Sequence, residues 1–264
     1  MSEDEILFLI VHSIAGLIVL GCWYLKAPEI KHFGRPIPGL GWYYLAPVLC
    51  FGLVTAGLQL FAASDVRNTF YVVWYVIMWL AWVGITVIFL LPLVGLRLYD
   101  DVLERRNPAV MIASLGAMLG LTLAYLGGNF GEGPSWGVVA LCTLISFGGF
   151  FGLWLLVAMA SPVLQRLTIE RDLGTAIRVF GLLTGFGVVL GRAVAGDWVS
   201  VEGTFEDFFL IAWVLILLAV FEIVLARFAS ISRKLDVNAV TLGVVPGCLY
   251  FALGAGYVVG VGWW

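Results

Sequence analysis

Long apolar runs alternate along the chain with short segments that are charged or rich in glycine and proline. A helix of roughly 20 apolar residues crosses the ~30 Å hydrocarbon core of a bilayer, because each residue adds about 1.5 Å. Strands of a membrane barrel would alternate apolar and polar positions, whereas these runs are apolar on every face. We therefore predict an all-α integral membrane protein with eight transmembrane helices. The predicted spans are 6–25, 42–63, 70–96, 109–128, 136–164, 173–195, 208–226 and 239–262.

Composition agrees with this pattern. Of the 264 residues, 62% are hydrophobic and 12% are charged, and the mean hydropathy is +1.06. The hydrophobic core of a soluble domain of this length cannot bury so much apolar surface, so we expect the excess apolar surface to face lipid. The chain is predicted to be a single membrane domain over 1–264 that contacts the bilayer and binds no nucleic acid. Residues 1–5 are acidic and lack a basic leader region, so the first helix is expected to be retained.

Basic residues are concentrated in four connections, which hold twelve of the 14 Lys and Arg residues. These residues are Lys26, Lys31, Arg35, Arg97, Arg105, Arg106, Arg166, Arg171, Arg178, Arg227, Arg233 and Lys234. The opposite connections keep only Arg67 and Arg192. Because cytoplasmic loops are enriched in Lys and Arg, the odd-numbered connections are predicted to be cytoplasmic and both termini extracytoplasmic. The ending Trp263 and Trp264 suits a membrane interface.

The same alternation divides the chain into four helical hairpins of one orientation, at 6–63, 70–128, 136–195 and 208–262. Val94, Arg97, Asn107 and Gly116 of the second hairpin match residues of the fourth that lie 130 or 131 positions later, namely Val224, Arg227, Asn238 and Gly247. Ala176 and Gly187 match residues 67 positions earlier, namely Ala109 and Gly120. Hairpins of one orientation in tandem predict parallel repeats, related by an axis along the membrane normal.

A charged turn opens a glycine-rich helix twice. The first turn, 100–109, reads DDVLERRNPA and precedes Gly116 and Gly120; the second, 170–176, reads ERDLGTA. The stretch 70–198 thereby resembles the bacterial inner-membrane family known as domain of unknown function 350, whose members are short four-helix proteins. Gly174 stands where that family has Asn, and its Cys-containing ending is missing. The resemblance implies a doubled member of the family in the bacterial inner membrane, and it implies no activity.

Small residues at four-residue spacing suggest faces where helix backbones approach closely, within the chain or between copies. The pairs are Gly116 and Gly120, Gly148 and Gly152, Gly181 and Gly185, Gly187 and Gly191, Gly243 and Gly247, and Gly256 and Gly260.

Two charges fall inside predicted spans, Arg178 in the sixth and Glu222 in the seventh, each near the cytoplasmic end. Charges at that depth are costly unless paired or hydrated, so we predict a Glu222–Arg178 ion pair, either structural or part of a proton or ion relay. His12, Gln59 and Arg192 could line a polar path. Their alternative role, shared by Asn129, is as interhelical or interfacial polar groups.

Proline and asparagine mark helix boundaries. Pro47, Pro92, Pro162 and Pro246 interrupt or end apolar runs, and each frees a carbonyl that a neighbouring helix or water must satisfy. Asn107 and Asn238 precede the fourth and eighth spans and are predicted to cap them. The outer loop 197–207 alternates acidic and aromatic residues, which suits headgroup anchoring or a docking surface.

The sequence offers no combination of nucleophile, base and orienting group. His12 and His32 are the only histidines, and Cys22, Cys50, Cys142 and Cys248 are isolated in apolar runs. We therefore predict a protein that is not an enzyme and holds no metal or cofactor. The leading hypothesis is a structural or partner-binding subunit of a membrane complex, with protein partners or further copies of itself. An ion or small-solute channel or transporter is the alternative, and an enzyme with a bound redox cofactor comes third.

Overall fold

The computed structural model of the chain describes residues 3–30, 39–232 and 240–262, although the side chains of 26–30, 230–232 and 240 are not described. Several residues singled out above therefore lie outside the described part. They are the side chain of Lys26 and residues Lys31, His32, Arg35, Arg233, Lys234, Asn238, Trp263 and Trp264.

All regular structure in the described ranges is helical, and eight of its helices are long and apolar enough to cross a membrane. This confirms the predicted all-α architecture and the number of spans. The α-helices are α1 (Glu3–Ile30), α2 (Leu40–Phe61), α3 (Phe70–Ile85), α4 (Pro108–Gly127), α5 (Trp136–Ala160), α6 (Val163–Thr168), α7 (Leu173–Ala193), α8 (Val201–Ala212), α9 (Val214–Ser232) and α10 (Val245–Val261). Short π-helical turns at Thr86–Leu90, Leu98–Glu104 and Val240–Val244 and a 3₁₀ turn at Leu91–Val94 complete them.

Two predicted boundaries are wrong. The seventh span begins at Val201 rather than at position 208, because the Ser200 hydroxyl accepts a hydrogen bond from the Gly203 N–H and starts α8 inside the stretch expected to be a loop. The fifth span stops at Ala160 rather than at 164. Ser161 has an extended backbone there, and α6 follows as a separate short helix.

Helix α7 lies at the centre of the bundle, between α4 and α10. Its glycines face both neighbours at backbone distance: a Cβ at Gly187 would meet the carbonyl oxygen of Gly120, and one at Gly181 would meet that of Gly247. Helices α2 and α3 pack against α4, α1 lies outside α3, and α5, α8 and α9 surround the remaining sides of α7. The large apolar side chains that remain exposed on α1, α2, α8 and α9 are placed to face lipid.

Of the predicted glycine pairs, those on α4, on α7 and at 243 and 247 contact a neighbouring helix within the chain. The other two pairs do not. A Cβ at Gly148, Gly152, Gly256 or Gly260 would have no described atom within 4 Å. Close packing at these four positions does not occur inside the described chain, and packing between chains stays a prediction.

Two connections at the same end of the bundle finish in turns with matching backbone hydrogen bonds. Asn107 N–H donates to the carbonyl of Asp101 (2.8 Å), and Asp172 N–H donates in the same way to Arg166 (2.9 Å). The residues just before these donors, Arg106 and Arg171, have φ of 55° and 54°. These two turns are 65 residues apart, whereas the Ala and Gly identities in the sequence are 67 residues apart.

Candidate functional site

Arg178 and Glu222 form a fully buried ion pair that joins α7 to α9, with side chains 1% and 0% exposed. The Arg178 Nε–H lies 2.9 Å from Oε1 and 2.8 Å from Oε2 of the carboxylate. A charge on either residue alone would be very costly at this depth, and the pair cancels both. The structure thus brings together the two charges that the sequence placed at similar depths.

Helix α10 and the π-helical turn before it each supply one further contact to the pair. The Tyr250 hydroxyl donates to Glu222 Oε2 (2.7 Å), and Arg178 Nη1 donates to the Leu242 carbonyl (2.6 Å). Pro246, four residues later, has no N–H with which to form an α-helical bond to that carbonyl. We call the ion network the set formed by the Arg178–Glu222 pair, Tyr250 and the Leu242 carbonyl. It connects α7, α9 and the start of α10, and Tyr250 gave no signal in the sequence.

Glycines explain why Arg178 reaches the π-helical turn before α10. A Cβ at Gly243 would meet the backbone of Gly174, and a Cβ at Gly181 would meet that of Gly247. Gly174 and Gly181 lie four residues before and three residues after Arg178, and therefore on the same face of α7. Their lack of side chains lets the two backbones touch, which brings the guanidinium within reach of the Leu242 carbonyl.

The chemistry of the ion network favours a structural lock over a relay. Both carboxylate oxygens of Glu222 accept hydrogen bonds, and arginine does not give up its proton in proteins. Proton transfer through this carboxylate would first have to break its bonds to Arg178 or Tyr250. One donor remains free, since Arg178 Nη2 is buried and has no hydrogen-bond partner among the described residues.

His12 is held on both sides of its ring. Its Nε2 lies 2.8 Å from the indole Nε1–H of Trp82, which can only donate, so Nε2 is the acceptor. The proton is then on Nδ1, which lies 2.8 Å from the Phe8 carbonyl. The ring also stacks on Phe8 at 3.8 Å. His12 therefore acts as a packing histidine, with neither nitrogen free for a metal.

The other members of the predicted polar path are not brought together with His12. Gln59 accepts from the Asn68 N–H (3.2 Å) near the end of α2. Arg192 donates to the carbonyls of Gly262 and Ala195, at the far end of α7 from Arg178. Each of the three binds different partners, so the structure does not assemble them into a path.

Asn107 caps α4 and also makes a hydrogen bond to α6 that the sequence did not indicate. Its Oδ1 accepts from the Ala109 and Val110 N–H groups, and its Nδ2 donates to the Leu167 carbonyl at 2.8 Å. The cap therefore ties the start of α4 to α6. Asp172, which was not predicted as a cap, accepts from the Gly174 N–H at the start of α7.

Free carbonyls near the same end are satisfied by donors that come later in the chain. Trp154 Nε1 donates to Val94 (3.1 Å), and the Arg227 guanidinium donates to Ala160 (3.0 and 2.8 Å). Tyr99 donates to the carbonyl of Cys22. Burial raises the pKa of the Tyr99 phenol above its ordinary value, which already lies well above neutral pH, so the hydroxyl is a donor.

No family model, curated protein or solved structure matches the chain. The similarity of 70–198 to the domain of unknown function 350 family stays a prediction. Within the described ranges, no three His, Cys, Asp or Glu side chains are grouped so that they could hold a metal ion.

Proposed function

We propose that this chain is a non-catalytic, multi-pass subunit that gives a membrane complex a rigid helical core. The observation that carries the proposal is the way α4, α7 and α10 are locked. Their backbones touch at glycines along α7, and the ion network fixes α9 and α10 to the same helix. Such a bundle resists the sliding or opening of helices on which gates depend.

Partner contacts are proposed on two faces where a pair of glycines meets no neighbouring helix among the described residues, Gly148 and Gly152 on α5 and Gly256 and Gly260 on α10. Lipid tails are as apolar as leucine, so helices associate in a bilayer mainly where small residues let backbones approach. A partner helix or a second copy of this chain would find that geometry on both faces.

The proposed orientation places the connections of 97–107 and 161–172 in the cytoplasm and both termini outside. The excess of Lys and Arg in these connections supports it. We also propose that the hairpins are parallel repeats, supported by the 65-residue correspondence of the two connections. The family resemblance supports placement in a bacterial inner membrane.

An ion or small-solute channel or transporter is the second candidate. It is favoured by one observation, a polar cavity of about 220 Å³ at the end of the bundle that holds Asn129 and Asp197. A transporter needs a solute site that is open to one side of the membrane, and this cavity has acidic side chains to attract a cation.

Purification from the native membrane in a mild detergent tests the proposal. We expect the tagged chain to be recovered with a stoichiometric partner or as an oligomer. Gly152→Leu or Gly256→Leu should release that partner while the chain stays folded, because the new side chain fills the space the partner needs. Gly52→Leu is the matched control, since Gly52 also has open space around it but lies on α2, outside both proposed faces.

The contrary result is a chain that purifies alone and conducts ions in liposomes. That result would exclude a role as a structural subunit of a complex and favour a channel or transporter.

A further inference from the structure

An apolar groove of about 410 Å³ lies between α2 and α4, and Phe180 of α7 also lines it. No charged, amide or hydroxyl side chain among the described residues is part of its wall. Its volume is in the ~300–1,000 Å³ range of pockets that hold organic ligands. The groove shares no lining residue with the polar cavity at the end of the bundle, and no member of the ion network lines it.

Two close approaches of α2 to α4 bracket the groove. A Cβ at Gly39, directly before α2, would meet the side chain of Met111, and a Cβ at Gly57 would meet that of Leu126. Four α2 residues that line the groove fall between these glycines and recur every three or four positions, so they share one face of the helix. They are Trp42, Ala46, Leu49 and Leu53. The groove is therefore preformed, which reduces the cost of binding.

Helix α4 reaches the surface of the bundle in this groove. Most residues of α4 are buried, but Ile112, Leu115 and Leu119 are partly exposed, and all three line the groove. On the α2 side, Trp42 and Leu49 are 58% and 54% exposed. Because these residues belong to two spans, the groove opens sideways, toward the surroundings of the spans.

The length of the groove matches one leaflet of a bilayer. Its α2 wall runs from Trp42 to Leu53, in the first half of that helix, and its α4 wall runs from Met111 to Leu119, also in the first half. Eleven steps along α2 cover roughly 16 Å, close to the ~15 Å that one leaflet contributes to the hydrocarbon core. Trp42 lies near the helix end, where tryptophan suits the membrane interface.

We propose that the groove binds one acyl chain of a phospholipid, from the leaflet on the side of the connection 97–107. Hydrocarbon surrounds the middle of a protein with eight spans, and the wall of the groove offers it only apolar contacts. An empty groove would leave the wall atoms without those contacts. Met111 and Met118 also line it, and their flexible side chains adapt to an irregular ligand.

A partner helix fits the groove less well than an acyl chain does. A helix with its side chains is about 10–12 Å across, so it would lie over the groove, whereas a hydrocarbon chain is one methylene group wide and can lie in it. The proposal does not depend on the chain being a subunit of a complex, because α2, α4 and α7 of a single copy form the wall.

Photolabelling of the purified full chain in phosphatidylcholine nanodiscs tests the groove. The probe is a phosphatidylcholine that carries a diazirine in the middle of one acyl chain, and mass spectrometry of peptides locates its adducts. We expect more adduct on Leu49 and Leu115 than on Leu217 of α9. Leu217 is 55% exposed, almost the same as Leu49, but lies outside the groove. Equal labelling of the three would show only ordinary surrounding lipid and overturn the proposal.

Ala46→Trp places a large ring in the groove and should abolish the adduct on Leu115 without changing the adduct on Leu217. Ala56→Trp is the matched control, since Ala56 is an exposed alanine of α2 that does not line the groove. Leu49→Trp, which also fills the groove, replaces Ala46→Trp if that variant does not fold. Equal labelling of Leu115 in the groove-filling variant and in the control would overturn the proposal.

The same probe, added to native membranes, tests for a protein in the groove. We expect the Leu115 adduct to form there as it does in nanodiscs. An adduct that forms in nanodiscs but not in native membranes would show that a partner or a second copy covers the groove, and it would also overturn the proposal.

Discussion

Arg178 is one of the largest side chains that the described fold buries completely, and it has both a counter-charge and a backbone acceptor there. Desolvating an ion pair costs about as much as the attraction between its charges returns. The pair is therefore not a large net source of stability. Its effect is geometric, since the bonds of Arg178 to Glu222 and Leu242 and of Tyr250 to Glu222 fix α7, α9 and α10 relative to one another.

Glu222→Leu should be strongly destabilising because it leaves the Arg178 charge buried without a partner. We expect a loss of about 3–5 kcal/mol in the free energy of unfolding, measured in mixed micelles with increasing denaturing detergent. Adding Arg178→Met should recover most of that loss, because the double variant buries no charge. Glu202→Leu, at an exposed position on α8, is the control. If Glu222→Leu lowered the free energy of unfolding as little as Glu202→Leu, the structural role described for the ion pair would be wrong.

At the scale of elements, glycines decide which helices are neighbours. Helix α7 meets α4 through Gly187 and Gly191 and α10 through Gly181 and Gly185, so two faces of one helix are used. The proline in α2 acts differently. Pro47 leaves the Tyr43 carbonyl free, and the Trp23 indole of α1 donates to it at 3.0 Å. Helix breakers thus create acceptors that hold outer helices in place.

Gly187→Val tests whether a glycine that touches a neighbouring backbone matters more for stability than a glycine that faces open space. The new side chain would collide with the Gly120 carbonyl, and backbone cannot move aside as a flexible side chain can. We expect a loss of about 3 kcal/mol in unfolding free energy, at the upper end for overpacking. Gly256→Val, with open space around it, should change stability by less than about 0.5 kcal/mol. Equal effects of the two substitutions would contradict the packing described for α4 and α7.

At the scale of the whole molecule, the two ends of the bundle differ in chemistry. One end carries the acidic cavity, and the other carries the connections at 97–107 and 161–172, where Arg97 and Arg105 are exposed. Because basic residues tend to remain on the cytoplasmic side, this difference supports the proposed orientation of the chain in the membrane.

Cysteine labelling in whole cells checks the orientation. In a background without the four native cysteines, Glu132→Cys should react with a membrane-impermeant maleimide in intact cells. Glu170→Cys, at the other end, should react only after the cells are permeabilised. Labelling of both positions from the same side would show that the proposed topology is wrong.

The spans and their number could be predicted from the sequence alone, because crossing hydrocarbon requires a property that can be read along one dimension, a run of apolar residues. It also indicated the depths of Arg178 and Glu222 and the cap at Asn107. It misjudged the start of the seventh span because the Ser200 cap lies in a stretch whose acidic residues resemble a loop.

Which surfaces meet could be seen only in the folded chain. Tyr250 and the Leu242 carbonyl join the ion network because α10 lies against the glycine face of α7, and the acidic cavity exists because four distant segments converge. Gly256 and Gly187 are equivalent as sequence signals, yet one faces open space and the other a backbone. Contacts of this kind depend on the shapes of two surfaces together, and hydropathy along one chain contains no information about the partner surface.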